Sequence, residues 1–97
     1  MNMIEHLLTC AAEEGTEVAQ AGHKALRFGL DDINPKTGRT NRIDLVAEVN
    51  DLLGVLELLQ DNGVMLDGLF DRDAIEAKKS RVLTWMDHSA ATGTLQR

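Results

Sequence analysis

The stretch RIDLVAEVNDLLGVLELL, residues 42–59, decides the fold. Leu45, Val46, Val49, Leu52, Leu53, Val55, Leu56, Leu58 and Leu59 recur at helical spacing over about four turns. Their side chains cover most of the helix circumference rather than one stripe, the mark of a helix buried on several sides. Two other helices in a 97-residue chain can hardly cover it. A partner chain is therefore expected to cover the rest. Thr40 or Asn41 can cap its start, and Asn62-Gly63 should end it.

Working outward, the preceding stretch GLDDINPKTGRTN holds the only proline together with Gly, Asn and Asp, and reads as a loop. Before it, Ile4, Leu7, Leu8, Ala11, Gly15, Val18, Ala19, Gly22, Ala25 and Leu26 keep helical spacing for about six turns, with Gly29 as the stop. After residue 59, a short connection GVMLDGLF leads into DRDAIEAKKSRVLTWMDHSA. Asp73 and Glu76 there form an Asp-x-x-Glu variant of the capping box. Ile75, Val82, Leu83, Trp85 and Met86 continue a third helix. No segment alternates as a strand does. The expected fold is all-α: one domain over residues 1–97, with three main helices in a bundle completed by oligomerisation.

Composition narrows the function classes. The formal charge of −6 argues against nucleic-acid polymers and anionic membranes as partners. A small anionic ligand is still allowed, because a divalent cation inverts the local field. The single cysteine, Cys10, excludes an internal disulfide and suits a reducing, cytoplasmic setting. The start, MNMIEHLLTC, does not read as a signal peptide, and no apolar run is long enough to span a bilayer.

The acids are the informative residues. Glu14 and Glu17 lie three apart and flank the apolar stripe of the first helix; Glu48 and Asp51 repeat the spacing in the second. On a helical wheel Glu48 and Asp51 share an arc with Val55 and Leu59. Ionised carboxylates in such a place are costly unless paired or metal-bound. No Lys or Arg within either helix is spaced to pair all four. Packed antiparallel, the two helices could converge them on one site. An all-oxygen set without His or Cys favours Mg²⁺, with Mn²⁺ as a substitute, over zinc.

Glu13-Glu14-x-x-Glu17, followed about thirty residues later by Glu48-x-x-Asp51, resembles the signature of the MazG-like all-α nucleoside triphosphate pyrophosphohydrolases. AEEGTEVAQAGHKALRFGLDD and RIDLVAEVNDLLGVLELL look like small phage or bacterial members along both helices, and IEAKKSRVLTWMDHS is similar though less distinctive. The resemblance implies hydrolysis of a nucleoside triphosphate to monophosphate and pyrophosphate, in a homodimer or homotetramer of bacterial or phage-infected host cytoplasm. It implies Glu14, Glu17, Glu48 and Asp51 as Mg²⁺ ligands, and Glu13 as a general base or outer-sphere group. By the same likeness the substrate is a deoxynucleoside triphosphate, with dGTP the purine to try. Gly15 departs from the pattern, where a larger residue is expected.

Catalysis also needs a proton acceptor and cations for the phosphates. Glu13 or Glu17 could take the proton of an attacking water. Lys24, seven residues after Glu17, lies two turns on along nearly the same face. Lys78 and Arg81 stand on the third helix, where the resemblance places phosphate-contacting residues. Residues 29–40 lack the spacing and preceding strand of a phosphate loop. His6 and Cys10 lack further ligands for a soft metal and read as packing. Phe28 and Trp85 read as core before stacking platforms. The rival reading is a non-catalytic helical interaction or nucleotide-sensing module, which explains the apolar second helix but not the acids within it.

Overall fold

The computed structural model describes all residues, Met1–Arg97, and is all-α. Helix α1 spans Met3–Phe28, α2 Asn41–Asp61 and α3 Arg72–Ala91. No strand forms; Ile33 and Thr40 make one isolated antiparallel bridge inside the loop. The chain divides into two compact units, Met1–Met65 and Leu66–Arg97. No helix is long and apolar enough to cross a membrane.

The helix ends follow local chemistry. The Asn2 side chain accepts the Glu5 N–H at 2.8 Å and caps α1. Gly29, at φ 100°, closes it, and its N–H donates to the Ala25 carbonyl at 2.9 Å. That backbone region is open to glycine and strained for other residues. Thr40 caps α2, its hydroxyl oxygen accepting the Ile43 N–H at 3.2 Å. Asn62, followed by Gly63 at φ 89°, ends it. The cap of α3 is Asp71 rather than the expected Asp73: Asp71 accepts from the Ala74 N–H at 2.9 Å. Glu76 is then free of the capping box and pairs with Arg72 and Lys79.

In the first unit, α1 and α2 form an antiparallel hairpin. Gly29 meets Asn41, and Glu17 meets Glu48, so later residues of α1 face earlier residues of α2. Along α2 the stripe Asn41, Asp44, Glu48, Leu52, Val55 and Leu59 is buried or half-buried. Its lower half is apolar and ends in Leu59, 1% exposed; buried Leu7 supplies the apolar end of α1. Its upper half is polar and lies next to the loop. The hairpin therefore has a dry end and a polar end, and every candidate residue on α1 and α2 belongs to the polar end or its border.

The loop 29–40 is latched to that polar end. Asp44, 7% exposed, accepts hydrogen bonds from Asn34 Nδ2 at 3.1 Å, Thr37 Oγ1 at 2.9 Å and Arg39 Nε at 2.9 Å. Buried Asn41 donates through Nδ2 to the Gly29 carbonyl at 2.9 Å. A buried carboxylate with three donors is satisfied, and the charge-assisted bonds are the stronger kind.

Several expected core positions are open in the single chain. Val46, Val49 and Leu58 of α2 are 57%, 38% and 46% exposed, because α1 covers only one side of the helix. Phe28 and Trp85 are exposed rather than core, and no residue of α3 is buried. Phe28 is the last residue of α1, where the loop begins. Trp85 makes an edge-to-face contact with His88, 5.6 Å between ring centroids. His6 Nε2 and Cys10 Sγ lie 3.6 Å apart with no third partner for a metal, as packing on one face requires.

Gly15 has a simple outcome. A Cβ built there meets nothing within 4 Å, so no close approach in the chain demands glycine. Gly15→Ala should stabilise the fold by about 0.5–1 kcal/mol through helix propensity alone, read as a higher urea midpoint at unchanged slope. Asp44→Ala should destabilise it by about 2–3 kcal/mol in the same assay, since three donors lose a charged acceptor. Removal of exposed Asp31, which pairs only with Arg42 at 3.1 Å, should cost under about 1 kcal/mol.

Candidate metal centre

Glu14 and Glu17 stand one turn apart on α1, and Glu48 faces them from α2. One carboxylate oxygen from each of the three lies within 4.8 Å of the others. Glu14 and Glu48 are half-buried. Oε2 of each is sealed from solvent and has no hydrogen-bond partner. Such orphaned buried acceptors are uncommon in folded proteins. None of the ion pairs, Arg39–Asp44, Arg42–Asp31, Arg72–Glu76, Lys79–Glu76 and Arg97–Asp87, reaches the cluster. The negative charge is therefore uncompensated by the chain itself.

The electrostatics follow from that geometry. Burial holds the Glu14 carboxyl above its ordinary pKa, and the charges of Glu17, Asp51 and Glu48 add to it. Glu48 is raised by burial first, then by the charges of Glu17, Asp51 and Asp44. Like charges held close disfavour ionisation, and desolvation acts in the same direction. Asp51 thus belongs to the electrostatic group. Its side chain is exposed, not buried as the wheel suggested: the half-buried stripe of α2 runs through Glu48, Leu52 and Val55 and leaves Asp51 beside it. Glu13 is exposed and does not contribute an oxygen to the three-carboxylate cluster.

Beside the acids a cavity of about 220 Å³ opens toward the loop. Glu17 and Glu48 form one wall, and Lys24, Lys36, Thr37 and Asp44 stand around the rest. Lys24 is where its spacing from Glu17 placed it. Lys36 and Asp44 were not singled out by sequence. Lys36 arrives because Asn34 makes a local turn, its Oδ1 accepting the Lys36 N–H at 3.0 Å while its Nδ2 donates to Asp44. The one available signal was the cluster of side-chain donors, Asn34, Thr37 and Arg39, just ahead of Asp44. Neither Lys24 nor Lys36 makes an ion pair. Lys78 and Arg81 lie exposed on α3, in the second unit.

No family model, curated protein or solved structure matches the chain. The functional reading rests on the site itself and on the resemblance of its acidic pattern.

The donor set fits a hard divalent cation: carboxylate oxygens alone, two of them orphaned, with room alongside for further oxygen ligands. A test follows from the raised carboxyls. A carboxyl with a raised folded pKa binds its proton more tightly in the folded state. Its favourable contribution is complete below the unfolded value, about 4.3 for Glu, and is lost as pH climbs through the raised folded value. In chelator at pH 7.5, Glu48→Gln should therefore raise Tm above wild type. At pH 4 that difference should shrink toward zero. Comparing variant with wild type cancels the opposite effects of Asp31 and Glu76, whose carboxyls are lowered by Arg42 and Arg72. Millimolar Mg²⁺ or Mn²⁺ should raise the wild-type Tm at pH 7.5 and leave Glu48→Gln nearly unmoved.

Proposed function

We propose that the protein is a Mg²⁺-dependent nucleoside triphosphate pyrophosphohydrolase that converts a nucleoside triphosphate, a deoxynucleotide by resemblance, to the monophosphate and pyrophosphate. The observation that carries this reading is the trio Glu14, Glu17 and Glu48, with two sealed, unpartnered oxygens, beside a cavity bearing two unpaired lysines. Acids alone would suit a cation store. Acids next to free ammonium groups suit a ligand that carries both a cation and spare negative charge, as a triphosphate does.

Glu14, Glu17 and Glu48, with Asp51 at the rim, would hold the cation. Bound there, it supplies positive charge to the phosphate oxygens and makes a nearby water more acidic. Lys24 and Lys36 neutralise and orient the polyphosphate from the loop side. The resemblance alone implies Lys78 and Arg81 as phosphate contacts; neither lines the cavity. In the reaction a water oxygen bonds to the α-phosphorus, the bond from that phosphorus to the α–β bridging oxygen breaks, and pyrophosphate leaves. The water proton passes to a carboxylate. Glu17 is better placed than Glu13 for that step, since it lies in the cluster and on the cavity wall, while Glu13 does neither.

A second reading has one observation in its favour. The exposed apolar side of α2, including Ile43, Val46 and Leu58, suits a non-catalytic helical interaction module. It equally suits the homodimer or homotetramer expected for the hydrolase. It leaves the orphaned carboxylates without a role.

Pyrophosphate release from a panel of deoxynucleoside and nucleoside triphosphates, with and without Mg²⁺, separates the readings. The hydrolase reading expects metal-dependent release from at least one substrate. Glu48→Ala should lower it by at least about a hundredfold while helical content by circular dichroism is kept. Release from none of them, or full activity in Glu48→Ala, contradicts it.

A further inference from the structure

A second cavity, about 290 Å³, adjoins the polar one and shares Lys24, Asn34, Lys36 and Asn41 with it. Its walls are largely apolar and include the Phe28 ring and Pro35. The two shared lysines can present methylene stems to this side and ammonium groups to the other, as long cationic side chains do. Each cavity alone falls below the ~300–1,000 Å³ of small-molecule sites; as adjoining chambers they reach that range.

The order of residues along α1 explains the pairing. Glu17, Ala21, Lys24 and Phe28 lie four, three and four residues apart, which keeps them on one face over three turns. Along that face the chemistry runs from carboxylate to small side chain to cation to aromatic ring. Ala21 is buried and leaves space where a larger residue would fill the polar chamber. Phe28 itself is 57% exposed and lines this chamber together with Asn41, the first residue of α2. The Arg27 guanidinium sits 4.9 Å from its centroid and covers one face; Arg27 does not line the cavity. Pro35, opposite, is held by the turn that Asn34 latches to Asp44.

We infer that the Phe28–Pro35 chamber is the site of the planar base of a nucleotide, whose phosphates occupy the Lys24–Lys36 chamber beside the acids. This rests on the nucleotide reading above and adds the ligand's direction to it: phosphates toward Glu17 and Glu48, base toward the C-terminal end of α1. The lysines and acids of the first chamber suit the polyanion and its cation, and the largely apolar surface of the second, where Asp32 is the one acid, suits the aromatic ring. Stacking on Phe28 is tolerant of base identity, because every base offers a π face. Phe28 is thus a binding residue and takes no part in bond breaking.

Two measurements on the full chain test this. The first compares binding of the α,β-methylene analogue of dATP with binding of inorganic tripolyphosphate, both in Mg²⁺, by calorimetry. Phe28→Ala should weaken the nucleotide analogue by about tenfold or more and leave tripolyphosphate unchanged, and Phe28→Trp should restore nucleotide binding. Equal loss of both ligands, or loss of neither, overturns the inference. The second titrates uncharged deoxyadenosine in chelator and follows backbone amide shifts. The shifts should centre on residues 28–36 and vanish in Phe28→Ala. If neither phosphate ligand binds but deoxyadenosine shifts those amides, the hydrolase reading falls and the base chamber stands. If deoxyadenosine shifts nothing, or shifts persist in Phe28→Ala, the chamber falls whatever the hydrolysis assay gives.

Discussion

The polar end of the α1–α2 hairpin is built around confined negative charge. Glu14, Glu17 and Glu48 are held with carboxylate oxygens within 4.8 Å, two oxygens are sealed without a partner, and Asp51 adds its charge at the rim. Dispersed to solvent, these carboxylates would cost the fold little. Held together they oppose it at neutral pH, and the raised pKa values of Glu14 and Glu48 express that opposition. Strained or unsatisfied groups of this kind concentrate where function needs them. On the proposed reading, a divalent cation would turn the same arrangement from a liability into a set of ligands.

The rest of the hairpin can be understood as support for that arrangement. The dry end, with Leu7 and Leu59, fixes the two helices against each other. The latch of Asp44 to Asn34, Thr37 and Arg39 closes the other end and brings the loop over the acids. Asp44 is an acid too, yet its role is the reverse of that of Glu48: it accepts from three donors, including the Arg39 guanidinium that offsets its charge. Two buried or half-buried acids four residues apart on one helix thus divide the work, one holding the loop and the other facing the cluster. The latch also delivers Lys36 and Pro35, so the cation-rich and apolar chambers depend on the same carboxylate.

Much of this was legible in the sequence, and the residues show why. The three helices could be read from apolar spacing and from stop and start signals such as Gly29 and Thr40, because those are local effects of backbone conformation and capping. The convergence of Glu14, Glu17 and Glu48 was legible because two i, i+3 pairs on antiparallel helices have few other ways to meet. The cap of α3 was misplaced by two residues: Asp71 and Asp73 are chemically alike, and the choice depends on where the preceding backbone turns. Asp51 was expected inside because a wheel gives relative direction but not which arc the neighbouring helix covers. Phe28 was expected in the core for a similar reason. Lys36 and Asp44 were missed since their meeting depends on a loop folding back over ten residues. The partner expected over the open side of α2 was inferred from the circumference of apolar residues; within one chain Val46, Val49 and Leu58 are uncovered, which leaves that face open without showing what covers it.

The central claim is that the carboxylates form a divalent-cation site before any nucleotide is considered. The most direct measurement is a Mn²⁺ titration followed by electron paramagnetic resonance of the free ion, with no nucleotide present. The account predicts saturable binding at a small whole number of ions per chain, displaced by excess Mg²⁺ and lost in a Glu14→Gln, Glu48→Gln double variant that remains helical. Absence of saturable binding, or binding unchanged in that double variant, would contradict it.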